Sequence, residues 1–386
     1  MKTVKIERAI LQSSLEIAGR FAGKLQQVVS AGDESLDKLA VKEIAPSIAM
    51  IFTENNLEIR ANDYFSSGVS LNIPIENQEE VSYFIPAKLL QETVSKSEDV
   101  VVSIGLDDEH LVVKSSMGRT SLKTLPEEIP TLPAKITTHS TEITGAEFSH
   151  ALSMVAFATQ KKDADCPSLA GVRFVLEDDN DITLIATDGI RLAKFTTHLG
   201  WKQLGREEHE KAVTVPIKAV NSLVTAFSKI DTTVKIGLDK NRIAFQWDGG
   251  YLFTSLVQDN YPDWKAIYPK EYKTKITFSS GFQNAIKACA IMAKGMQTTT
   301  PVISVDANNE RTLLKSKSDI GESVVKLIPD KFDGKDLVVW FDGDLIPRHV
   351  PGEITLSLNS HNTAVLFSAT EDPSWEYLLM PVHLGS

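Results

Sequence analysis

Val102-Ser-Ile-Gly-Leu-Asp107 returns 132 residues on as Val234-Lys-Ile-Gly-Leu-Asp239, and a looser copy, Ile354-Thr-Leu-Ser-Leu-Asn359, follows 120 residues later. Each copy alternates apolar and polar residues, turns through Asp or Asn, and resumes as an apolar run: Leu111-Val-Val, Ile243-Ala-Phe and Ala364-Val-Leu-Phe. Period-two alternation broken by a turn residue is the pattern of an antiparallel hairpin with one buried face. A long-period recurrence decides the architecture of a chain before any short motif does.

Other features keep the same period. A short helix is predicted ahead of each hairpin, entered at Pro86, at Pro216 and at Asp342. Proline suits a first helical position, where its missing N–H has no partner to lose, and Asp is a good N-cap. The third of these helices is expected to be cut short by Pro347 and Pro351. Longer helices are predicted from Ile6 to Lys24, Gly145 to Lys161 and Ser280 to Lys294; the second carries Phe148, Ala151, Leu152 and Val155 on one stripe. A further hairpin follows each. Its first strand is Ile48–Phe52, Val172–Leu176 or Val302–Val305, and its return strand ends at Asp63, Asp188 or Asp319.

The chain therefore reads as three units, 1–128, 129–262 and 263–386, each with two helices against antiparallel strands, an α+β class. Polar, proline-rich joints separate them at Leu125-Pro-Glu-Glu-Ile-Pro130 and Asp259-Asn-Tyr-Pro262. With 386 residues, 42% hydrophobic and 24% charged, the composition is that of a globular protein, and no apolar run approaches a transmembrane span. The amino terminus carries no secretory signal, and Cys166 and Cys289 make no disulfide framework, so a cytoplasmic location is expected.

Catalytic chemistry is sparse. There is no metal-binding His or Cys spacing, no phosphate-cradling glycine loop and no nucleophile elbow, so no metal and no cofactor is expected. Net charge is −11, which disfavours a simple basic-patch binder. Basic residues nevertheless cluster near helix ends: Arg20 and Lys24, Lys161 and Lys162, Lys287 and Lys294, then Lys88, Lys96, Lys218, Lys229 and Arg348. No Asp or Glu occurs from Phe148 to Lys162. One such lysine merely answers a helix dipole; recurrence in three units points to a shared positive face.

Three stretches carry a resemblance. Thr187-Asp-Gly-Ile-Arg-Leu-Ala193, Tyr261-Pro-Asp-Trp-Lys-Ala-Ile-Tyr-Pro269 and Tyr377-Leu-Leu-Met-Pro-Val-His-Leu384 resemble the bacterial sliding-clamp family, the β subunits of DNA polymerase III. The likeness spans essentially the whole chain. It implies three clamp domains per chain and two chains closed head to tail into a ring, helices lining the hole and sheets outside. It implies a non-catalytic processivity factor that encircles double-stranded DNA without regard to sequence. Its other partners would be the polymerase III catalytic subunit, the clamp loader, and further polymerases and repair proteins held through short peptides, with no membrane involved.

By that resemblance Lys24 is the first DNA contact, followed by Lys162 and Lys218, with Arg20 and Lys161 added on local grounds. The peptide pocket would include Leu169, Thr187, Gly189, Ile190, Arg191, Leu192, Pro262, Ile267, Leu378, Met380 and Pro381. Ile190, Ala266 and His383 stand where the family commonly has His, a basic residue and Arg, which makes the expected pocket more apolar. Ile291 and Met292 match the family's apolar dimer pair, with Leu122 as their expected partner and Thr120 where a larger apolar residue can occur. Two other readings stay open: a clamp-like paralogue that keeps the pocket without encircling DNA, and an enzyme using Cys166 or the Asp188–Arg191 pair.

Overall fold

A computed structural model describes residues 2–382 apart from 24, 31–38, 64–65, 78, 108, 126–129, 134–139, 161–165, 178–180, 199–211, 229–231, 294–301 and 348–351. The first repeat runs β1 (Lys2–Glu7), α1 (Arg8–Phe21), β2 (Leu25–Ser30), β3 (Leu39–Ile44), β4 (Ser47–Thr53), β5 (Asn56–Asn62), β6 (Ser67–Pro74), β7 (Val81–Pro86), α2 (Ala87–Ser95), β8 (Val101–Leu106), β9 (His110–Ser115) and β10 (Gly118–Lys123). The second runs β11 (Ser140–Thr144), α3 (Gly145–Ala156), β12 (Gly171–Leu176), β13 (Asp181–Thr187), β14 (Arg191–His198), β15 (Ala212–Pro216), α4 (Ile217–Phe227), β16 (Thr233–Leu238), β17 (Arg242–Trp247) and β18 (Gly250–Ser255). The third runs β19 (Thr274–Phe278), α5 (Phe282–Ala293), β20 (Val302–Ala307), β21 (Thr312–Ser318), β22 (Gly321–Leu327), β23 (Lys331–Asp333), β24 (Leu337–Asp342), β25 (Ile354–Leu358), β26 (Val365–Ala369) and β27 (Trp375–Leu379).

The local signals act as their chemistry requires. α1 buries Leu11, Leu15, Ala18 and Phe21, one turn apart on one stripe. β5 alternates strictly, with Leu57, Ile59 and Ala61 buried and their neighbours half-exposed. Pro86 and Pro216 end a strand and stand one residue before α2 and α4, at the cap rather than the first helical position. α1 starts later than Ile6 because Ile6 is a buried strand residue facing Val102 across β1·β8. α5 starts at Phe282 rather than Ser280, after Gly281 at φ +82°. No third short helix begins at Asp342 among the described residues. β24 ends there and the chain turns, the Leu345 amide donating to the Asp342 carbonyl at 3.0 Å ahead of Pro347.

The described chain gathers into two compact units, the first from Met1–His150 and Val215–Val257, the second from Ala151–His198, Lys211–Thr214 and Gln258–Ser386. The first holds the sheets β1-β8-β9-β10 and β11-β16-β17-β18-β6-β5-β4-β7, with the β2·β3 hairpin. The second holds β22-β21-β20-β24, and its larger sheet runs β15-β12-β13-β14-β27-β26-β25-β19-β23.

Each unit thus contains one joint between repeats. In the first, β6 of one repeat pairs with β18 of the next; in the second, β14 pairs with β27. These strands occupy equivalent places: β6 and β14 are third in their sets, β18 and β27 last. The remaining strands of the two kinds are β22 and β10. Both lie at sheet edges, and no described strand pairs with their outer sides.

Candidate functional site

The β13–β14 hairpin turns through Asp188-Gly189-Ile190, with Gly189 at φ +88°, where a side chain would be strained. Asp188 Oδ1 accepts from the Ile190 amide at 3.1 Å and the Arg191 amide at 3.0 Å. Thr187 Oγ1 donates to the Arg191 carbonyl at 2.6 Å and accepts from the Gly189 amide at 3.1 Å. Such side-chain bonds to local backbone make an Asx-type turn. Arg191 Nε then donates to Asp188 Oδ2 at 2.9 Å, and its Nη2 to the Phe157 carbonyl at 2.7 Å.

The Asp188–Arg191 pair is not peculiar to this hairpin. At the β16–β17 turn, Asp239 accepts from the Arg242 amide at 2.8 Å and from its Nε at 3.2 Å. An arginine three residues after a turn aspartate therefore has a structural explanation in this fold. What is particular to Arg191 is the second tether, to Phe157.

Behind the turn lies an apolar floor. Across β14·β27, Leu192 faces Leu378, and both are buried with Ile185 and Ala364. Tyr261, Trp264 and Tyr268 pack against this cluster from the segment that includes the single turn Trp264–Ile267. The Tyr268 hydroxyl donates to Glu376 Oε2 at 2.8 Å, and Lys194 Nζ lies 3.1 Å from the same oxygen. Burial, then the Glu376 charge, push the Tyr268 hydroxyl far above its ordinary value, so it stays a donor. The chain end joins the turn where the Met380 amide donates to the Ile190 carbonyl at 2.9 Å.

The pocket residues thus divide into two groups. Leu169, Thr187, Leu192, Leu378 and Pro381 are buried, whereas Gly189, Ile190, Pro262, Ile267 and Met380 are exposed. Ile190 is 53% exposed and Met380 37%, large values for apolar side chains. Arg191 is mostly enclosed, at 11% for its side chain. Sequence reasoning missed Phe157, Tyr261, Trp264 and Tyr268; the last three were legible as an aromatic run after a proline-rich joint, and Phe157 as an aromatic just beyond the buried stripe of α3.

Lys24, Lys161 and Lys162 lie outside the described residues, as do Lys229, Lys294, Arg348 and His383. Arg20, on α1, donates to Glu16 at 2.6 Å and to Thr225 Oγ1 of α4 at 3.2 Å. Lys218, on α4, lies 3.1 Å from Asp63 Oδ2 and 4.9 Å from the Phe21 ring centroid. Burial would raise the Asp63 carboxyl, but hydrogen bonds from Ser67 and Ser66 and the Lys218 charge outweigh it and hold it well below the usual carboxylate range. Both described cations are therefore partly neutralised within the fold.

On α5, Ile291 is 68% exposed, and Met292 Sδ approaches the position that a Cβ on Gly321 of β22 would occupy, at 3.8 Å. Leu122 is half-buried on β10 and Thr120 exposed. Cys166 is exposed; Cys289 is buried, its Sγ 3.2 Å from the Leu314 carbonyl, and burial pushes its thiol up. No group of His, Cys, Asp and Glu among the described residues is arranged to hold a metal ion. No helix among them is long and apolar enough to cross a membrane.

The family model described as "DNA polymerase III beta subunit, central domain" matches residues 142–263. A beta sliding clamp of Streptomyces coelicolor is 26% identical over 378 residues, covering 94% of this chain and 97% of that one. The crystal structure of DNA polymerase III beta subunit from Thermotoga maritima superimposes with a TM-score of 0.76 at 22% identity, over 99% of this chain and 100% of the other. A Pseudomonas aeruginosa sliding clamp solved bound to griselimycin does so with a TM-score of 0.77 at 18% identity, over 99% of each chain.

Proposed function

The chain belongs to the sliding-clamp family of DNA polymerase III beta subunits, and on that premise we propose that it is a cytoplasmic, non-catalytic processivity factor that encircles duplex DNA. It tethers the replicative polymerase and other replication and repair proteins through short peptides. The observation that carries this reading is the pattern of strand joints. One kind of joint, third strand to last strand, is used twice within the chain, as β6·β18 and β14·β27. The unpaired edges of β10 and β22 are the two halves of a third such joint. A second copy supplies each missing half, in a head-to-tail contact that closes on itself.

A closed ring also accounts for the net charge of −11. Topological linkage needs only weak, sequence-independent attraction to phosphates, and weak attraction permits sliding. Lys24, Lys161 and Lys162 supply it, with Arg20 and Lys218 modulated by their internal partners. Residues 1–128, 129–262 and 263–386 act as three clamp domains. Ile291, Met292 and Leu122 pack beside the closing joint, and the cleft at Leu192, Leu378 and Met380 receives partner peptides.

The test is retention on DNA. A dimer mass in solution is expected, with loading onto nicked circular DNA that survives salt and is lost when the circle is linearised. A monomer that retains peptide binding would overturn the ring and favour the paralogue reading, for which the internal pairing of Lys218 and Arg20 speaks.

A further inference from the structure

A hollow of about 430 Å³ lies wholly within the first compact unit, on the sheet that carries the β6·β18 joint. The strand register explains it. Arg60, Ser70, Tyr251 and Gln246 form one cross-strand row over β5, β6, β18 and β17. In the next row Glu58 faces Asn72, whose main-chain amide donates to the Gly249 carbonyl at 2.8 Å. Gly249, at φ +88°, ends that row without a side chain, and the hollow opens there. Leu132 and Pro133 of the first joint form an apolar wall, Leu132 packing against Tyr251.

The charges of the hollow are closed on themselves. Arg60 Nε donates to Glu58 Oε1 and Nη2 to Oε2, both at 2.8 Å, while Ser70 Oγ donates to Oε1 at 2.7 Å. Burial would raise the Glu58 carboxyl, but these bonds outweigh it and hold it below its ordinary value, so it only accepts. Arg60 Nη1 is given to the Pro130 carbonyl at 3.3 Å, and no other cation lines the hollow among the described residues. Uncharged hydrogen-bonding capacity remains. Glu58 Oε2 accepts a single bond, and Asn72 has only its Oδ1 engaged, by Asn56 Nδ2 at 3.0 Å. The Gln246 amide has no partner among the described residues.

We propose that this hollow binds an uncharged adenine ribonucleoside. A hydroxyl both gives and takes a hydrogen bond, so an acceptor on Glu58 directly across from a donor on Asn72 suits the ribose diol, for which a carboxylate is a frequent partner. Asn72 and Gln246 stand two strand spacings apart, about 10 Å, which a nucleoside spans from ribose to base edge. A glutamine amide matches the N6/N7 edge of adenine with one acceptor and one donor. Leu132 and Pro133 cover the base. With Arg60 committed and a net charge of −11, the phosphates of a nucleotide find no partner. The site stands apart from the ring and peptide readings, and neither is needed for it.

Adenosine, 2′-deoxyadenosine and AMP, each titrated against the full chain by saturation-transfer NMR, test this, with thermal unfolding as the folding control. Adenosine is expected to bind, and loss of the 2′-hydroxyl to weaken binding about three- to tenfold, as for one or two hydrogen bonds. AMP should bind more weakly than adenosine. Asn72→Ala, at an exposed position, and Gln246→Ala should each weaken adenosine by a similar factor. Glu58→Gln keeps the side-chain shape and should erase the preference for adenosine over the deoxy form. Adenosine that fails to bind at millimolar concentration, equal binding of the two nucleosides, or binding unmoved by Asn72→Ala overturns the proposal. AMP binding tighter than adenosine overturns the uncharged ligand class.

Discussion

Gly68 faces Phe253 across the β6·β18 joint, and a Cβ on the glycine would fall 2.7 Å from the phenyl ring and 3.0 Å from the Ala61 carbonyl. Gly68 is the hairpin partner of Asn62, the residue before Asp63, just as Leu192 is the partner of Thr187, before Asp188. Where the second joint sets Leu192 against Leu378, the first sets nothing against a whole phenyl ring. The second joint is consequently a meeting of two leucines, and the first a meeting of a glycine with a ring. Gly68→Val should destabilise the first unit by about 1–3 kcal/mol, the usual cost of overpacking a filled site. Urea unfolding checks this, and an unchanged midpoint would contradict the packing.

Asp63 contributes to stability through Ser66, Ser67 and Lys218. Its folded value is depressed from 3.8, so the contribution is complete above that pH and is lost as the pH falls below it. Asp63→Asn should cost on the order of 1 kcal/mol at neutral pH once solvent screening is allowed for. The gap between variant and wild type should close on acidification below about pH 3.8. The same variant releases Lys218, so its retention on circular DNA at low salt should rise, measurable as a shift in elution.

The closing joint is expected to be weaker than the internal ones. In those, inward-facing Leu252 meets Val69 and Tyr377 meets Ala193. With buried Ser316 of β21 as the counterpart of buried Ala61 of β5, their hairpin partners Ser323 and Val69 correspond, and carrying that register through the repeat brings Thr120 of one copy opposite Ser323 of the second, two small polar residues in place of a buried apolar pair. In a background lacking Cys166, Thr120→Cys with Ser323→Cys should cross-link copies under oxidation, and Thr120→Leu should tighten the dimer several-fold by analytical ultracentrifugation. Cross-linking no stronger than for a pair placed elsewhere on the two edges would refute this register.

Floor and rim of the cleft should separate in their effects. Leu192→Ala removes a fully buried side chain and should cost about 2–5 kcal/mol in unfolding. Met380→Ser, at an exposed position, should leave unfolding unchanged while weakening peptide binding at least about tenfold, as expected of an apolar anchor contact. Calorimetry and anisotropy on the same samples distinguish the two outcomes.

Much of this molecule was legible in the chain because the signals are local. Helical stripes such as Phe148, Ala151, Leu152 and Val155, the alternation of Leu57, Ile59 and Ala61, and the Asp188-Gly189 turn each act within a few residues, and their recurrence exposed the repeat. The family's pocket positions could be carried over because three motifs sit in order. The sequence did not reveal that β6 and β18, or β14 and β27, would pair, since that choice depends on which edge lies nearest in space. Nor did it reveal that Lys218 would meet Asp63, 155 residues away, or that Arg191 would meet the Phe157 carbonyl, 34 residues away. Both arginine and lysine look like free surface charges in a linear reading; only tertiary packing brings an acceptor within 3.1 Å and decides how much of each charge is left for a partner. Local propensity determined the repeating parts, while the joints and the available charges were decided by contacts between distant segments.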